Sequence, residues 1–400
     1  MTSFFIPGIL TGLFAGSVVA AYRAAVEFLC EVGGEVFAGA RDNIWICIAL
    51  FAGLFAVGAA IWALCKKMPE VAGGGTIAVK DRIVGIRKSR FGTLIAAKFV
   101  GSAAAIASGL SLGTEGPSIQ LGATAGEGVS HLFRKNADNI IMAGAAAGIS
   151  AAFGAPLAGF FFAFEELSGR EGRKNYLRHA TVAVASVTAF VLSAVIFGPK
   201  PLFSLSAEPL SATEHLLLAL LAPLCALLGW AFTKLMVVFK KLFGSLRLWK
   251  YLLLFGSAGV VGIFWREICG GGSGMILSGP SMSALGTVAL LFVGKAVFTS
   301  ISNASSAPGG ILLPTLALGA MVGAGFALAF APSATTAFVI LGMAGMLASA
   351  GKVPVMTGAL VLEMTGCYSL ILPVAITVAL SYGISAIKTP HGIFDRETWA

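Results

Sequence analysis

The glycine-rich segment Gly73–Gly75 recurs as Gly270–Gly272, 197 positions later in the chain. Self-similarity at a fixed spacing is typical of a chain built from repeated structural units. The sequence therefore predicts two homologous halves, residues 1–199 and residues 212–400, within one membrane domain that spans 1–400. The same spacing relates further pairs of residues: Lys98 and Lys295, Gly113 and Gly310, Pro117 and Pro314, and Gly122 and Gly319.

The composition places both halves in a lipid bilayer. Apolar residues make up 57% of the 400 residues and charged residues only 11%, whereas a soluble domain carries about 25% charged residues. Too few polar groups are available to cover a soluble surface, and roughly 20 residues suffice for one helical crossing. The sequence predicts an all-α polytopic membrane protein with about a dozen spans. The first span is expected to begin within Met1–Ala21.

Neither the net positive charge nor the cysteines indicate a bound ligand. Loop lysines and arginines of a membrane protein explain the net charge of +9, so no nucleic-acid partner is predicted. The six cysteines are scattered through apolar runs without a CxxC pair. Neither a metal site, a cofactor nor a disulfide is therefore predicted.

The distribution of loop charge predicts that the two halves have opposite orientations. The segment Lys80–Arg90 carries five basic residues, whereas its counterpart Leu277–Thr287 carries none. Likewise, Arg170–Arg178 is basic and Gly366–Pro373 is uncharged. Cytoplasmic loops carry an excess of lysine and arginine, so the basic segments are expected inside and their counterparts outside. This arrangement is an inverted repeat in the cell (inner) membrane, with ligands bound near the midplane where helices are broken.

The segment Gly113–Pro117 predicts a carboxylate at a helix start inside the membrane. Pro117 suits the first helical turn, because its missing N–H would have no intrahelical partner there. Free N–H groups at a helix start bind anions, and Gly113 and Gly116 are candidate anion-binding positions. A carboxylate in the membrane is costly and indicates function, although a structural N-cap is the alternative. Ionised Glu115 would fill the anion site and protonated Glu115 would leave it, which makes one residue both gate and proton carrier.

Two further segments offer backbone donors without a titratable group. In the second half, Leu312 stands where Glu115 stands in the first, and successive N–H groups there can cradle an anion. The glycine-rich loop of the first half can do the same, although a flexible turn would use the same residues. The candidate donors are Gly310, Ile311 and Leu312 in the second half, and Gly74, Gly75 and Thr76 in the first.

Glu165 and Glu166 end an apolar helix just before a basic loop, so they are expected near the cytoplasmic face. Two interpretations remain open at this point. The acids either bridge to Arg170 or Arg173 at the interface, as charges at helix ends commonly do, or they take part in transport.

These motifs resemble those of the CLC family of chloride channels and chloride/proton antiporters, of the prokaryotic type without CBS domains. The resemblance covers nearly the whole chain, and its segments keep the family's order and spacing. It implies a CLC-type inverted repeat with broken, re-entrant and tilted helices, and a homodimer with one pathway per subunit. The segments are Gly113–Gln120 (GTEGPSIQ, family pattern GxEGPxxQ), Gly148–Glu166, Gly270–Ile276, Ala307–Ala320 and Val361–Pro373.

The resemblance also implies roles for individual residues. Glu115 matches the family's gating glutamate, and Glu166 matches the inner proton-transfer glutamate of its antiporters. The backbone that contacts the central anion is matched by Gly310, Ile311 and Leu312.

Two departures from the family pattern concern anion selectivity. The family's coordinating serine is replaced by Gly74, unless Thr76 substitutes from a shifted position. Its coordinating tyrosine is replaced by Phe394. Backbone N–H groups would then do most of the coordination. The fluoride branch of the family also replaces the serine, but it typically lacks the proline that is Pro117 here.

The predicted function is antiport of chloride, or a related small anion, against protons, because both carboxylates are retained. A passive anion channel of the same fold and a fluoride/proton antiporter are the alternatives. An intramembrane enzyme is disfavoured, since none of the four histidines falls in a broken-helix segment. A transporter of organic anions would need a midplane cation. Lys98 and Lys295 are candidates, but they are expected to extend to opposite membrane interfaces. The expected partners are a small inorganic anion, protons and membrane lipid.

Overall fold

The computed structural model describes almost the whole chain, and nearly all of the described residues are helical, as predicted. The described ranges are 2–86, 90–133, 137–168, 176–244, 247–395 and 397–399. Some residues behind the loop-charge prediction and the predicted arginine bridges lie outside these ranges. They are Arg87, Lys88, Arg170, Arg173 and Lys174.

Sixteen α-helices lie within the described ranges. In chain order they are α1 (Thr2–Asp42), α2 (Ile44–Lys67), α3 (Thr76–Ile83), α4 (Phe91–Ala107), α5 (Glu115–Phe133), α6 (Ala137–Phe153), α7 (Pro156–Phe162), α8 (Tyr176–Phe197), α9 (Ala212–Phe243), α10 (Arg247–Phe264), α11 (Ser273–Ser278), α12 (Leu285–Ala304), α13 (Leu312–Phe330), α14 (Thr335–Gly351), α15 (Pro354–Thr365) and α16 (Ile371–Lys388). Helices α3, α7, α11 and α15 have twelve residues or fewer. They are too short to cross a bilayer core of about 30 Å, which confirms the prediction of broken helices.

Nine helices of the described ranges are long and apolar enough to cross a membrane. Three further apolar helices, α4, α6 and α15, are shorter. The expected dozen spans are therefore reached only when these shorter helices are counted. The physical reason is the glycine and proline content, which ends several apolar segments before they reach full crossing length.

Helices α5, α6, α13 and α14 form the buried centre of the molecule. Glycines let the paired helices approach closely, as in other membrane bundles. A Cβ on Gly122 of α5 would lie 2.9 Å from Cα of Gly148 on α6. A Cβ on Gly319, the repeat-related residue of α13, would lie 2.7 Å from Cα of Met343 on α14. The same close packing therefore recurs in the second half at Gly319, which the 197-residue spacing relates to Gly122.

Two buried lysines bind the glycine-rich loops. Lys98 of α4 donates through Nζ to the Gly73 carbonyl at 2.7 Å, and Lys295 of α12 donates to the Gly270 carbonyl, also at 2.7 Å. Both side chains are fully buried. The prediction that they extend to opposite membrane interfaces was wrong, because loop carbonyls inside the protein stabilise each ammonium group in place of water. Both ammonium groups are engaged by carbonyls, so neither offers the midplane cation that an organic carboxylate would need.

Two glutamates cap helices of the opposite half. Glu363, at the end of α15, accepts from the N–H groups of Leu157 and Ala158 at the start of α7, both at 2.9 Å. Glu165 accepts from two N–H groups at the start of α15, at 3.0 and 2.7 Å. These donors have no intrahelical partner, and a carboxylate is favoured at a helix N-terminus. The two caps therefore join the halves of the chain, and they give Glu165 a structural role at that position.

Replacing Glu363 by Ala is expected to lower the stability of the protein. The substitution leaves two N–H groups of α7, one partly buried and one buried, without an acceptor, which costs about 2 kcal/mol or more. The measurement is the thermal unfolding midpoint of the detergent-solubilised protein. The exposed Glu31 of α1 provides the control, and Glu31→Ala should leave the midpoint unchanged. Equal midpoints for the two variants would contradict the capping role of Glu363.

Candidate anion site

A two-way backbone contact holds the starts of α5 and α13 together. The Gly113 N–H donates to the Gly310 carbonyl at 2.8 Å, and the Gly310 N–H donates to the Gly113 carbonyl at 2.7 Å. The two helices begin immediately after this contact, at Glu115 and Leu312. Two positive helix ends therefore converge in the buried centre, where they favour negative charge.

The Gly310 N–H is not a free anion donor, although the sequence predicted it as one. Its hydrogen bond to Gly113 is part of the contact between the two halves. The N–H of Leu313, which the sequence analysis did not single out, points to the site instead. The N–H groups that can bind an anion therefore begin after Gly310, because the Gly310 N–H already donates to the loop of the other half.

The carboxylate of Glu115 occupies the start of α13. Its Oε1 accepts from the Leu313 N–H at 3.0 Å, and the N–H groups of Leu312 and of Glu115 itself also face the carboxylate. Glu115 is 1% exposed, and its Oε2 has no hydrogen-bond partner among the described residues. The side chain therefore sits where a bound anion would meet the same backbone donors.

Two glycines leave room for this carboxylate. A Cβ on Gly310 would lie 2.5 Å from Cδ of Glu115, and a Cβ on Gly113 would lie 2.7 Å from it. Real Cβ atoms do not approach other heavy atoms so closely. Glycine at both positions is therefore required for Glu115 to reach the start of α13.

A cavity of about 260 Å³ begins at Glu115. It brings together nine of the residues that the sequence analysis selected from distant parts of the chain. Gly113 contributes the backbone contact beside the cavity, and Glu166 lies outside it. The predicted residues that line the cavity are Gly74, Gly75, Thr76, Glu115, Gly116, Gly310, Ile311, Leu312 and Phe394.

Phe394 reaches the cavity on a turn that follows α16. The Ile393 N–H donates to the Ala350 carbonyl at 2.9 Å, and the Gly392 N–H donates to Oδ2 of Asp395 at 2.8 Å. These contacts fix the turn against the end of α14. Neither Phe394 nor Gly74 carries a hydroxyl group, so these two lining positions contribute no hydroxyl donor to an anion.

Several further lining residues were not anticipated from the sequence, and they include Lys240, Asn303, Ser306 and Trp399. Nζ of Lys240, on α9, lies 4.4 Å from the centre of the Trp399 ring. Lys240 belongs to the basic stretch Lys234–Lys250 of the sequence. Its place on the cavity wall depends on how α9 packs, which no local motif indicates.

Glu166 lies on a π-helical turn, Ala163–Leu167, that follows α7. Its Oε1 is 2.7 Å from Nζ of Lys80 on α3, and the Glu166 side chain is 8% exposed. A nearly buried carboxylate requires such a charged partner. Glu166 is thus paired with Lys80, a residue that the sequence analysis had assigned only to a cytoplasmic basic segment.

The membrane helices are broken around a cavity, and one wall of this cavity brings a carboxylate and backbone N–H donors together. This arrangement defines a membrane protein that conducts or transports small anions. Residues 57–386 match the family model described as voltage gated chloride channel. The chain belongs to this family, the CLC family.

Characterised members of the family are similar to the chain over most of its length. It is 32% identical over 394 residues to the H(+)/Cl(-) exchange transporter ClcA of Vibrio vulnificus (strain YJ016), which covers 92% of this chain and 83% of that protein. A crystal structure of a slow cyanobacterial Cl-/H+ antiporter superposes with a TM-score of 0.91 at 25% identity, over 98% of this chain and 96% of that one. A CLC-type fluoride/proton antiporter superposes with a TM-score of 0.82 at 22% identity, over 98% and 97%; at this identity the likeness shows the fold alone.

The comparisons confirm the predicted family and fold. The protein is a multi-pass membrane protein, and the bacterial origin of the Vibrio relative agrees with the predicted cell (inner) membrane. The relatives are transporters rather than enzymes.

Proposed function

We propose that this protein exchanges a small inorganic anion, chloride in the first instance, for protons across the membrane. The observation that carries the proposal is the position of Glu115, whose carboxylate occupies backbone donors at the start of α13. An anion and the ionised carboxylate compete for these donors. Protonation removes the negative charge of Glu115, weakens its hold on the N–H groups and releases the site. Anion binding and proton uptake are linked for this reason.

Backbone geometry supports a site for a small anion. The N–H groups of Leu312 and Leu313 lie at a helix start, and Ile311 and Gly116 line the same cavity. Donors of this kind bind an anion by charge and need no side-chain cation. Glu166 is the inner proton carrier in this proposal, since its carboxylate lies apart from the cavity and is paired with Lys80.

Chloride is the proposed anion because transporters that are similar to this chain are named for exchange of Cl- and H+. Fluoride is the second candidate, since Gly74 and Phe394 contribute no hydroxyl group to the cavity. A passive channel of the same fold is the alternative without proton coupling. We also propose that the protein functions as a homodimer in lipid, with one pathway in each subunit.

The decisive experiment uses purified protein in liposomes that hold a pH-sensitive dye. An imposed chloride gradient is expected to drive protons against their own gradient, and protein-free liposomes provide the baseline. Proton movement with fluoride but not with chloride would identify a fluoride exchanger. Anion flux without any proton movement would overturn the proposal and identify a channel.

Replacing Gly74 by Ser is expected to tighten chloride binding. A Cβ at this position meets nothing closer than the Gly309 carbonyl oxygen at 3.6 Å, so the side chain fits, and its hydroxyl adds a donor at the cavity. A hydrogen bond to a charged group contributes about 1.5–3 kcal/mol, or roughly tenfold or more in affinity. Titration calorimetry with chloride gives the measurement. Gly74→Ala adds the Cβ without the hydroxyl and should bind as the wild type does; a similar gain in both variants would refute the role of the hydroxyl.

A further inference from the structure

Lys80 contacts both Glu166, the proposed inner proton carrier, and the backbone of Phe394, which lines the anion cavity. Nζ of Lys80 lies 2.7 Å from Oε1 of Glu166 and 3.2 Å from Oδ1 of Asp395. It also lies 3.5 Å from the carbonyl oxygen of Phe394, to which it donates. A single ammonium group therefore joins the turn after α7 to the turn after α16.

The two turns have different neighbours. Phe394 lines the anion cavity together with Thr76, and Lys80 follows Thr76 by one turn of the same short helix, α3. Glu166 lies outside the cavity. Any change in charge at Glu166 therefore acts first on Lys80, and Lys80 in turn contacts the backbone of a cavity residue.

Among the described residues, three charged groups face Glu166: Lys80, Asp395 and Glu165. The Glu165 carboxylate accepts from two N–H groups at the start of α15. Lys80 is thus the one cation of this group, and it faces two carboxylates that compete for it. The Glu166 side chain is 8% exposed, compared with 28% for Asp395, so Glu166 depends more strongly on the ammonium group.

We propose that Lys80 is a positioning residue for exchange, whose ammonium group sets the proton affinity of Glu166 and holds the Phe394 turn against α3. This inference rests on the proposed role of Glu166 as the inner proton carrier. While Glu166 is ionised, Lys80 is shared between the two carboxylates. When Glu166 takes up a proton, Lys80 keeps its contacts with Asp395 and the Phe394 carbonyl. These contacts become stronger and hold the Phe394 turn of the cavity wall more firmly against α3.

The test measures chloride-driven proton flux in liposomes as a function of the pH on the side that Glu166 faces. Lys80→Met removes the cation, which favours the protonated acid, so the pH of half-maximal proton flux should rise by about one unit or more. Asp395→Asn leaves Lys80 to Glu166 alone and should lower that pH. Its amide oxygen can still accept from the Gly392 N–H, so the turn is retained. Opposite shifts are a result that a merely structural role would not produce.

Two control variants complete the test. Lys80→Arg should restore a profile near that of the wild type, because it keeps the positive charge. Lys234→Met, which removes an exposed lysine of α9, should leave the profile unchanged. If Lys80→Met folds poorly, the shift in Asp395→Asn decides by itself. If proton coupling is intact in the wild type, an unchanged pH profile in both Lys80→Met and Asp395→Asn overturns the inference about Lys80. Absence of proton flux in the wild type overturns the proposed function instead.

Discussion

We expect the Glu115→Gln substitution to abolish chloride-driven proton movement while anion movement continues. Glutamine has nearly the shape of glutamate and can still accept from the Leu313 N–H, but it neither releases nor binds a proton at neutral pH. The loss of a positioned proton-transfer group costs on the order of 100-fold or more in rate. Proton and chloride fluxes measured on the same liposomes give the coupling ratio directly.

The Glu363→Gln variant offers a matched control for this measurement. It also neutralises a glutamate that accepts backbone hydrogen bonds at a helix start, but this glutamate lies at the start of α7 and outside the anion cavity. Its coupling ratio should remain that of the wild type. Proton flux that persists in Glu115→Gln would remove Glu115 from the proton path and leave it as a structural cap.

The second large effect is expected from Gly310→Ala. The added Cβ would lie 2.5 Å from Cδ of Glu115 and 2.7 Å from the Gly116 nitrogen, so the carboxylate can no longer reach the start of α13. The backbone donors there would then be open to anions even while Glu115 is ionised. Anion flux should persist at alkaline pH, where ionised Glu115 is expected to slow the wild type, and the number of protons moved per anion should fall several-fold.

Gly74→Ala is the control for this variant, since it adds the same methyl group to the same cavity. Its Cβ finds ordinary contact distances, so its fluxes should match those of the wild type. The unfolding midpoint in detergent separates a local change at the gate from general misfolding. A Gly310→Ala protein that is stable and shows wild-type coupling would contradict the conclusion that Glu115 needs glycine at position 310 to reach the start of α13.

Several parts of the site were predictable because they depend on short segments. Pro117 and its flanking glycines indicate a helix start inside an apolar stretch, and the structure begins α5 at Glu115. The 197-residue spacing predicted that Gly113 and Gly310 are equivalent, and the two residues pair with each other. Division of the chain into inverted repeats remains a prediction, which the paired lysines and the reciprocal glutamate caps support.

The incorrect expectations concern groups whose partners are distant in the chain. A lysine in an apolar segment can extend to the interface or bind internal carbonyls, and Lys98 takes the second course because the Gly73 loop folds back onto α4. The Gly310 N–H was predicted as an anion donor, yet it donates to the Gly113 carbonyl in the loop of the other half. In both cases the local sequence allows two outcomes, and contacts with a distant part of the chain select one of them.

The sequence by itself determined the membrane class and the family, and it predicted the repeat and the carboxylate of the proposed site. These conclusions depend on composition and on motifs of a few residues. Only the tertiary structure decided which backbone groups remain free for an anion, and that Lys80 shares its charge between Glu166 and Asp395. The reason is physical: these contacts join positions far apart in the chain. Whether two such groups meet depends on the packing of all the helices between them.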